Sequence, residues 1–230
     1  MNIVNKIGML IIFMSLGMVA VVPVNAQEPK RPAPTGIFDS KKEAKISEVK
    51  RLGLDQAFEK LKDMDFLVDE DLLNTAIFRS FQDQKKNAIA YSIQRLEQPR
   101  REIIDGKLVD RALDLYVAKK TLQMFPDESL YNLISMYLDA DPPVRANIIF
   151  ALGGMEGDPA IRNLLLTALD DDAFSQEEDP QMEGKPLRVC DEAYNQLVLR
   201  YQVKNVLRNI GNVHPIEDRN YHIQVLKSIL

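Results

Sequence analysis

Apolar residues recur along this chain at intervals of three and four, the spacing of one helical face, rather than in the strict alternation of a strand. The pattern is clearest from Asp141 to Asp172, DPPVRANIIFALGGMEGDPAIRNLLLTALDDD. Val144, Ile148, Ile149 and Leu152 form one stripe, Ile161, Leu164, Leu165, Ala168 and Leu169 a second, and a Gly-rich turn lies between. Two stripes this short cannot each close a core alone, so the pair predicts a helical hairpin that stacks on similar neighbours.

The same spacing runs through most of the chain. Helical signal starts near Ser40 and breaks at Gly53; a second short helix from Asp55 to Met64 turns Ala57, Phe58 and Leu61 inward. Leu72, Leu73, Ala76, Ile77 and Phe81 stripe the segment Glu70–Phe81, and Ala88, Ile89, Tyr91, Ile93 and Leu96 stripe Gln84–Leu96, which together predict an early helical hairpin. Pro99 ends it. The segment Pro99–Leu108 carries an Asp105-Gly106 turn signal and is read as a projecting loop or a small hairpin, with any sheet confined to Arg101–Leu108. Helices are then predicted over Leu108–Phe125, Pro126–Asp139, the Asp141 unit, a unit opening at Pro186, and Pro215–Leu230.

Superposing Leu138 on Leu169 also sets Asn132 on Asn163, Leu133 on Leu164 and Ile134 on Leu165; Val144, Ile148 and Leu152 match Val189, Ala193 and Leu197. These matches support an internal repeat. Pro126, Pro142, Pro159, Pro186 and Pro215 stand where helices should begin, a position whose N–H has no intrahelical partner. Asp141 and Asp158 precede two of them and are predicted N-caps worth about 1 kcal/mol each; His214 is read as the cap before Pro215.

The pattern D-x-x-V-R-x-x-x-x-x-A-L-G, here Asp141, Val144, Arg145, Ala151, Leu152 and Gly153, resembles the HEAT family of helical repeats, including its bacterial PBS-lyase-type variety. The resemblance implies an all-α, right-handed α-solenoid of HEAT-like hairpins, an α–α superhelix, over residues 40–230. It also implies that Asp141 and Arg145 take part in a ladder of contacts between repeats. The match covers about one unit: Cys190 stands where the next unit would repeat Arg145, and residues 40–107 show no clear consensus.

Residues 1–26 read as an export signal, with Lys6, an apolar run from Ile7 to Val22 and a Val24-Asn25-Ala26 cleavage site. The run is shorter than the roughly 20 residues of a membrane span and is followed by Pro23. The expectation is therefore a periplasmic or secreted chain without stable membrane insertion after cleavage. Residues 27–39, with their prolines, are expected to be a disordered leader.

A net charge of −5 and the lack of a basic cluster argue against nucleic-acid binding. Cys190 is the one cysteine, so no intrachain disulfide can form, and its place among Leu187, Tyr194, Leu197, Val198 and Tyr201 favours a buried side chain over a reactive thiol.

No nucleophile elbow, P-loop or dinucleotide fingerprint occurs, and His214 and His222 with a single cysteine make a poor zinc set. The chain is therefore expected to be non-enzymatic, without cofactor or metal. Two binding elements remain. The insert 170–183 is rich in carboxylates, including Asp171, Asp172, Glu177, Glu178 and Asp179. It is read as a solvated loop, a partner contact or, least favoured by its spacing, a calcium site. In HEAT-like stacks the second helices line the concave side, where Tyr131, Asn132, Ser135, Arg162, Asn163 and Thr167 would face a protein or peptide partner. The leading expectation is a scaffold binding through that face; the alternative is an accessory or regulatory subunit of an envelope enzyme that docks through the acidic insert.

Overall fold

The structure, a computed structural model, describes residues 38–155, 157–176 and 183–230. The export signal, all of the leader but its last two residues, and Glu177, Glu178 and Asp179 lie outside the described residues. Within them the chain is mostly helical, and none of its helices is long and apolar enough to cross a membrane.

The N-terminal helices are α1 (Phe38–Lys50), α2 (Leu54–Leu61), α3 (Met64–Leu67), α4 (Glu70–Phe81) and α5 (Lys85–Leu96). Helix α1 opens within the segment read as leader. The stripes of α2 and α4 are buried as expected, and of the α5 stripe Ala88, Ile89 and Leu96 are buried whereas Tyr91 and Ile93 are half-buried; α4 and α5 do not make the expected hairpin. Instead α4 packs along α1 and α6, whereas α5 runs along α6 and reaches α7 and α8. Phe58 of α2 touches both helices: its ring lies 5.2 Å from Phe81 and 4.5 Å from Tyr91. Aromatic rings fill volume and prefer such offset or tilted contacts.

Between α5 and α6 (Ala112–Met124) stands a two-stranded antiparallel hairpin, β1 (Arg101–Ile104) and β2 (Lys107–Asp110), which pairs Ile103 with Leu108 and Ile104 with Lys107. Asp105 and Gly106 both take positive φ, 51° and 74°, which a tight hairpin turn requires. The strand runs two residues past the expected Leu108 limit, which delays α6 to Ala112. Asn147 clamps the stem by donating to the carbonyls of Leu96 and Gln98, each at 2.9 Å.

Three helix pairs follow: α6 with α7 (Pro126–Asp139), α8 (Pro142–Leu152) with α9 (Pro159–Ala168), and α10 (Val189–Tyr201) with α11 (Ile216–Ile229). Their first helices, α6, α8 and α10, are neighbours in a row; α7 packs on α6 and α8, α9 on α8 and α10, and α11 on α10. Ile148, Ile149, Leu152, Leu165, Tyr194 and Leu197 are fully buried along this row. The internal match is shifted by one residue from the superposition above. Leu138 is exposed whereas Leu169 is buried, so the burial pattern sets Leu133 on Leu165 and Tyr137 on Leu169.

Helix starts differ in detail from their signals. Asp158 caps α9 by accepting from Ala160 N at 2.7 Å. Asp141 holds the N-cap position of α8 without a side-chain bond. Pro186 does not open α10, which starts at Val189 behind a capping box in which Asp191 accepts from Arg188 N at 2.9 Å. Pro215, rather than His214, is the N-cap of α11; the imidazole instead accepts from Gly211 N at 2.9 Å.

Candidate functional site

Helices α7 and α9 both rest on α8 and present the residues expected to bind a partner. On α7, Tyr131 is 72% exposed, and Asn132 and Ser135 are exposed beside it. Leu138, 76% exposed, lies seven residues beyond Tyr131 and so on the same face two turns along. An exposed aromatic and an exposed Leu on one stripe make a contact surface that the burial pattern of the fold does not use. On α9, Asn163 and Thr167 are exposed, although the Thr167 hydroxyl donates to Asn163 O at 2.9 Å. Arg162 is not a free anchor: its Nη2 donates to Leu230 O at 2.8 Å, which ties α9 to the end of α11.

The acidic insert departs further from expectation. Asp171 is a packing residue. Arg145 donates to it from Nε at 2.7 Å and from Nη2 at 3.1 Å, and from Nη1 to Ala140 O at 2.8 Å. The inter-hairpin contact of Arg145 therefore runs to Asp171, not Asp141. The Tyr137 hydroxyl stands 3.4 Å from Asp171, and burial, with the Asp171 charge, pushes this phenol up to about 12. Asp170 pairs with Lys227. Asp172 is exposed. Residues 171–175 run back along the entry to α10: Cys190 N donates to Asp171 O at 2.8 Å, Val189 N to Ala173 O at 3.0 Å and Ser175 N to Leu187 O at 2.8 Å. The first part of the insert is thus a tied strap.

The other end of the insert is held by a buried cluster that helical periodicity does not disclose. Arg219 is 0% exposed and donates to Asp191 at 3.0 Å and to the carbonyls of Lys185, Pro186, Asn212 and His214. Arg188 completes it with two bonds to the Asp191 carboxylate, at 2.9 and 3.2 Å. Such a charge is retained in the interior because each of its donors is matched.

A second polar group, also missed, lies where α6, α8 and α10 meet. Lys119 is 9% exposed with Nζ 3.9 Å from the centre of the Phe150 ring. Burial pushes it down to about 8, against the opposing field of Glu192. Burial also raises Glu192, while a 2.7 Å bond from Gln196 and the charges of Arg100 and Lys119 hold it back. The one hint in the sequence is a lysine set inside the run Leu115, Val117, Ala118 and Leu122. Cys190 is buried as expected, and desolvation followed by the Asp191 charge pushes its thiol up to about 12. Comparison of the chain with family models, with curated proteins and with solved structures gives no match.

Proposed function

We propose that this chain is an exported, non-enzymatic scaffold of HEAT-like hairpins in a right-handed α-solenoid, and that it binds a protein or peptide along its second helices. The observation that carries the reading is the exposed Tyr131–Leu138 stripe of α7, flanked by Asn132 and Ser135. Aromatic residues dominate interface energies, and polar neighbours supply the rim. The row of first helices and the Arg145–Asp171 contact between successive hairpins support the repeat reading. Because Arg162 is engaged with Leu230, the anchors are centred on α7 rather than shared equally with α9. Docking through the acidic insert is the weaker alternative, since Asp170 and Asp171 are already held by Lys227 and Arg145.

The test replaces Tyr131 with Ala and Leu138 with Ser in the full chain. A photo-crosslinking residue at Asn132 then traps the partner in cells. The expected result is loss of the crosslinked species with unchanged helicity and melting temperature. An undiminished crosslink, or one lost only when Asp172 is changed, rejects the α7 face. The mass of the exported chain should correspond to a start at Gln27.

A further inference from the structure

Tyr131, Ile134 and Leu138 follow one another at steps of three and four along α7, the spacing of the seam that one helix offers another. The outer two are exposed and Ile134 is half-buried between them. They stand about 10 Å apart, two turns of helix. An extended peptide crossing α7 meets one end of this seam, whereas a helix laid along α7 meets all of it.

Charge decides which helix. The charged residues of α7 are Asp127, Glu128 and Asp139, with no Lys or Arg. Asp127 stands one turn before Tyr131 and Asp139 directly after Leu138, so an exposed carboxylate brackets the seam at each end. The cations of the elements packed against α7 are engaged elsewhere: Lys85 of α5 with Glu128, Lys120 of α6 with Glu70, and Arg145 of α8 with Asp171. Lys119 of α6 is buried over the Phe150 ring. Among the described residues no cation stands within ion-pair distance of Asp127 or Asp139. The negative end of the α7 dipole adds to the field at Asp139.

The same charges weigh against other occupants. A second copy laid antiparallel, with Tyr131 matched to Leu138, brings Asp127 of one protomer within about a turn of Asp139 of the other; laid parallel, it sets Asp127 beside Asp127. Like charges so placed oppose docking. An anionic lipid surface is repelled for the same reason.

We propose, building on the α7 reading above, that the occupant of this face is a cationic amphipathic helix. Its apolar stripe packs on Tyr131, Ile134 and Leu138, and its Lys or Arg residues pair with Asp127 and Asp139. Exposed pairs of this kind select a partner more than they tighten it, so most of the affinity comes from the seam.

Three synthetic helices of about five turns test it by fluorescence anisotropy on the full chain. The first carries Leu at the seam positions with Lys on both flanks, the second has Glu for each Lys, and the third shuffles the first so that charge stays and the seam is lost. The Lys helix is expected to bind about tenfold or more tighter than either of the others. Asp127→Asn and Asp139→Asn should each weaken it about two- to fivefold and reduce its salt sensitivity, with helicity unchanged. Asp218→Asn, at an exposed carboxylate of α11, should leave it intact. Equal binding of the Glu or the shuffled helix, a loss at Asp218→Asn as large as at Asp127→Asn, or dimerisation of the free chain that Leu138→Ser abolishes overturns the proposal. Failure of all three probes overturns it too. In that case an Asn132 crosslink that still depends on Tyr131 and Leu138 keeps the α7 face for a partner of other chemistry, whereas a crosslink indifferent to them removes the α7 reading as well.

Discussion

Arg145 holds Asp171 across the gap between two helix pairs, with a fork of two bonds at 2.7 and 3.1 Å, while the Asp141 side chain beside it makes no capping bond. Both partners are more than three-quarters buried. Arg145→Ala and Asp171→Ala should each cost about 1–3 kcal/mol, the range for stranding a buried polar partner. A double-mutant cycle from denaturant titrations should give a coupling of at least about 0.5 kcal/mol. Asp172→Ser, on the exposed neighbour, should stay within about 0.5 kcal/mol. Equal small effects at Asp171 and Asp172 would return Asp171 to the solvated loop.

Arg219→Met should be among the most damaging single changes in the chain. It removes the donors to four backbone carbonyls and one of the two cations on Asp191, and breaking a buried pair costs about 3–5 kcal/mol. Hydrogen exchange should show the amides of 185–190 and 212–219 losing protection together, because one guanidinium ties both segments. Loss confined to α11 would refute that joint role.

Lys119 should make stability depend on pH. Burial lowers its ammonium to about 8 in the folded chain from the ordinary 10.5. Between those values the unfolded chain binds the proton that the native chain has released, so stability rises with pH across that window. Below pH 8 the cost is at its full value. Lys119→Met should therefore raise stability near pH 7 by on the order of 1–3 kcal/mol, a gain that fades towards pH 10.5. Melting curves at pH 7 and pH 10 check the sign. A gain that grows with pH would contradict the burial of the charged form.

Cys190 should react slowly with a thiol reagent at pH 8, because the thiolate is the attacking species and burial pushes the thiol up to about 12. In denaturant the rate should return to that of an ordinary cysteine. Rapid reaction of the native chain would show that α10 opens readily at its N-terminal turn.

Helical periodicity places the buried faces of α2, α4, α5, α8 and α9 because each depends on neighbours three and four residues away. Partners distant in sequence follow no such rule. Asp171 sits in a run of acidic residues and looks solvated until Arg145, 26 residues earlier, is seen to reach it. Arg219 looks like an ordinary charge on an amphipathic helix; only the return of the insert and the loop before α11 brings its carbonyls within reach. The α4–α5 pairing failed for a similar reason, since an apolar stripe does not name its partner and α4 takes α1 and α6 instead. Of the candidate site, the exposure of Tyr131, Asn132, Ser135, Asn163 and Thr167 was legible, whereas the engagement of Arg162 with the last residue was not. The polar group of Lys119 and Glu192 joins α6 to α10 and leaves only Lys119 as a trace in any one stripe.

The β1–β2 hairpin is secured at its base rather than at its tip. Arg111 N donates to Arg100 O at 2.8 Å and its guanidinium to Pro99 O at 3.2 Å, while Asn147 fastens the end of α5. The turn at Asp105 and Gly106 is exposed. Extra length at that turn is therefore borne by the stalk and not by the helix row. Residues 105 and 106 mark a splice point, where a reporter peptide can be inserted or new chain ends can be cut as a handle on the intact protein.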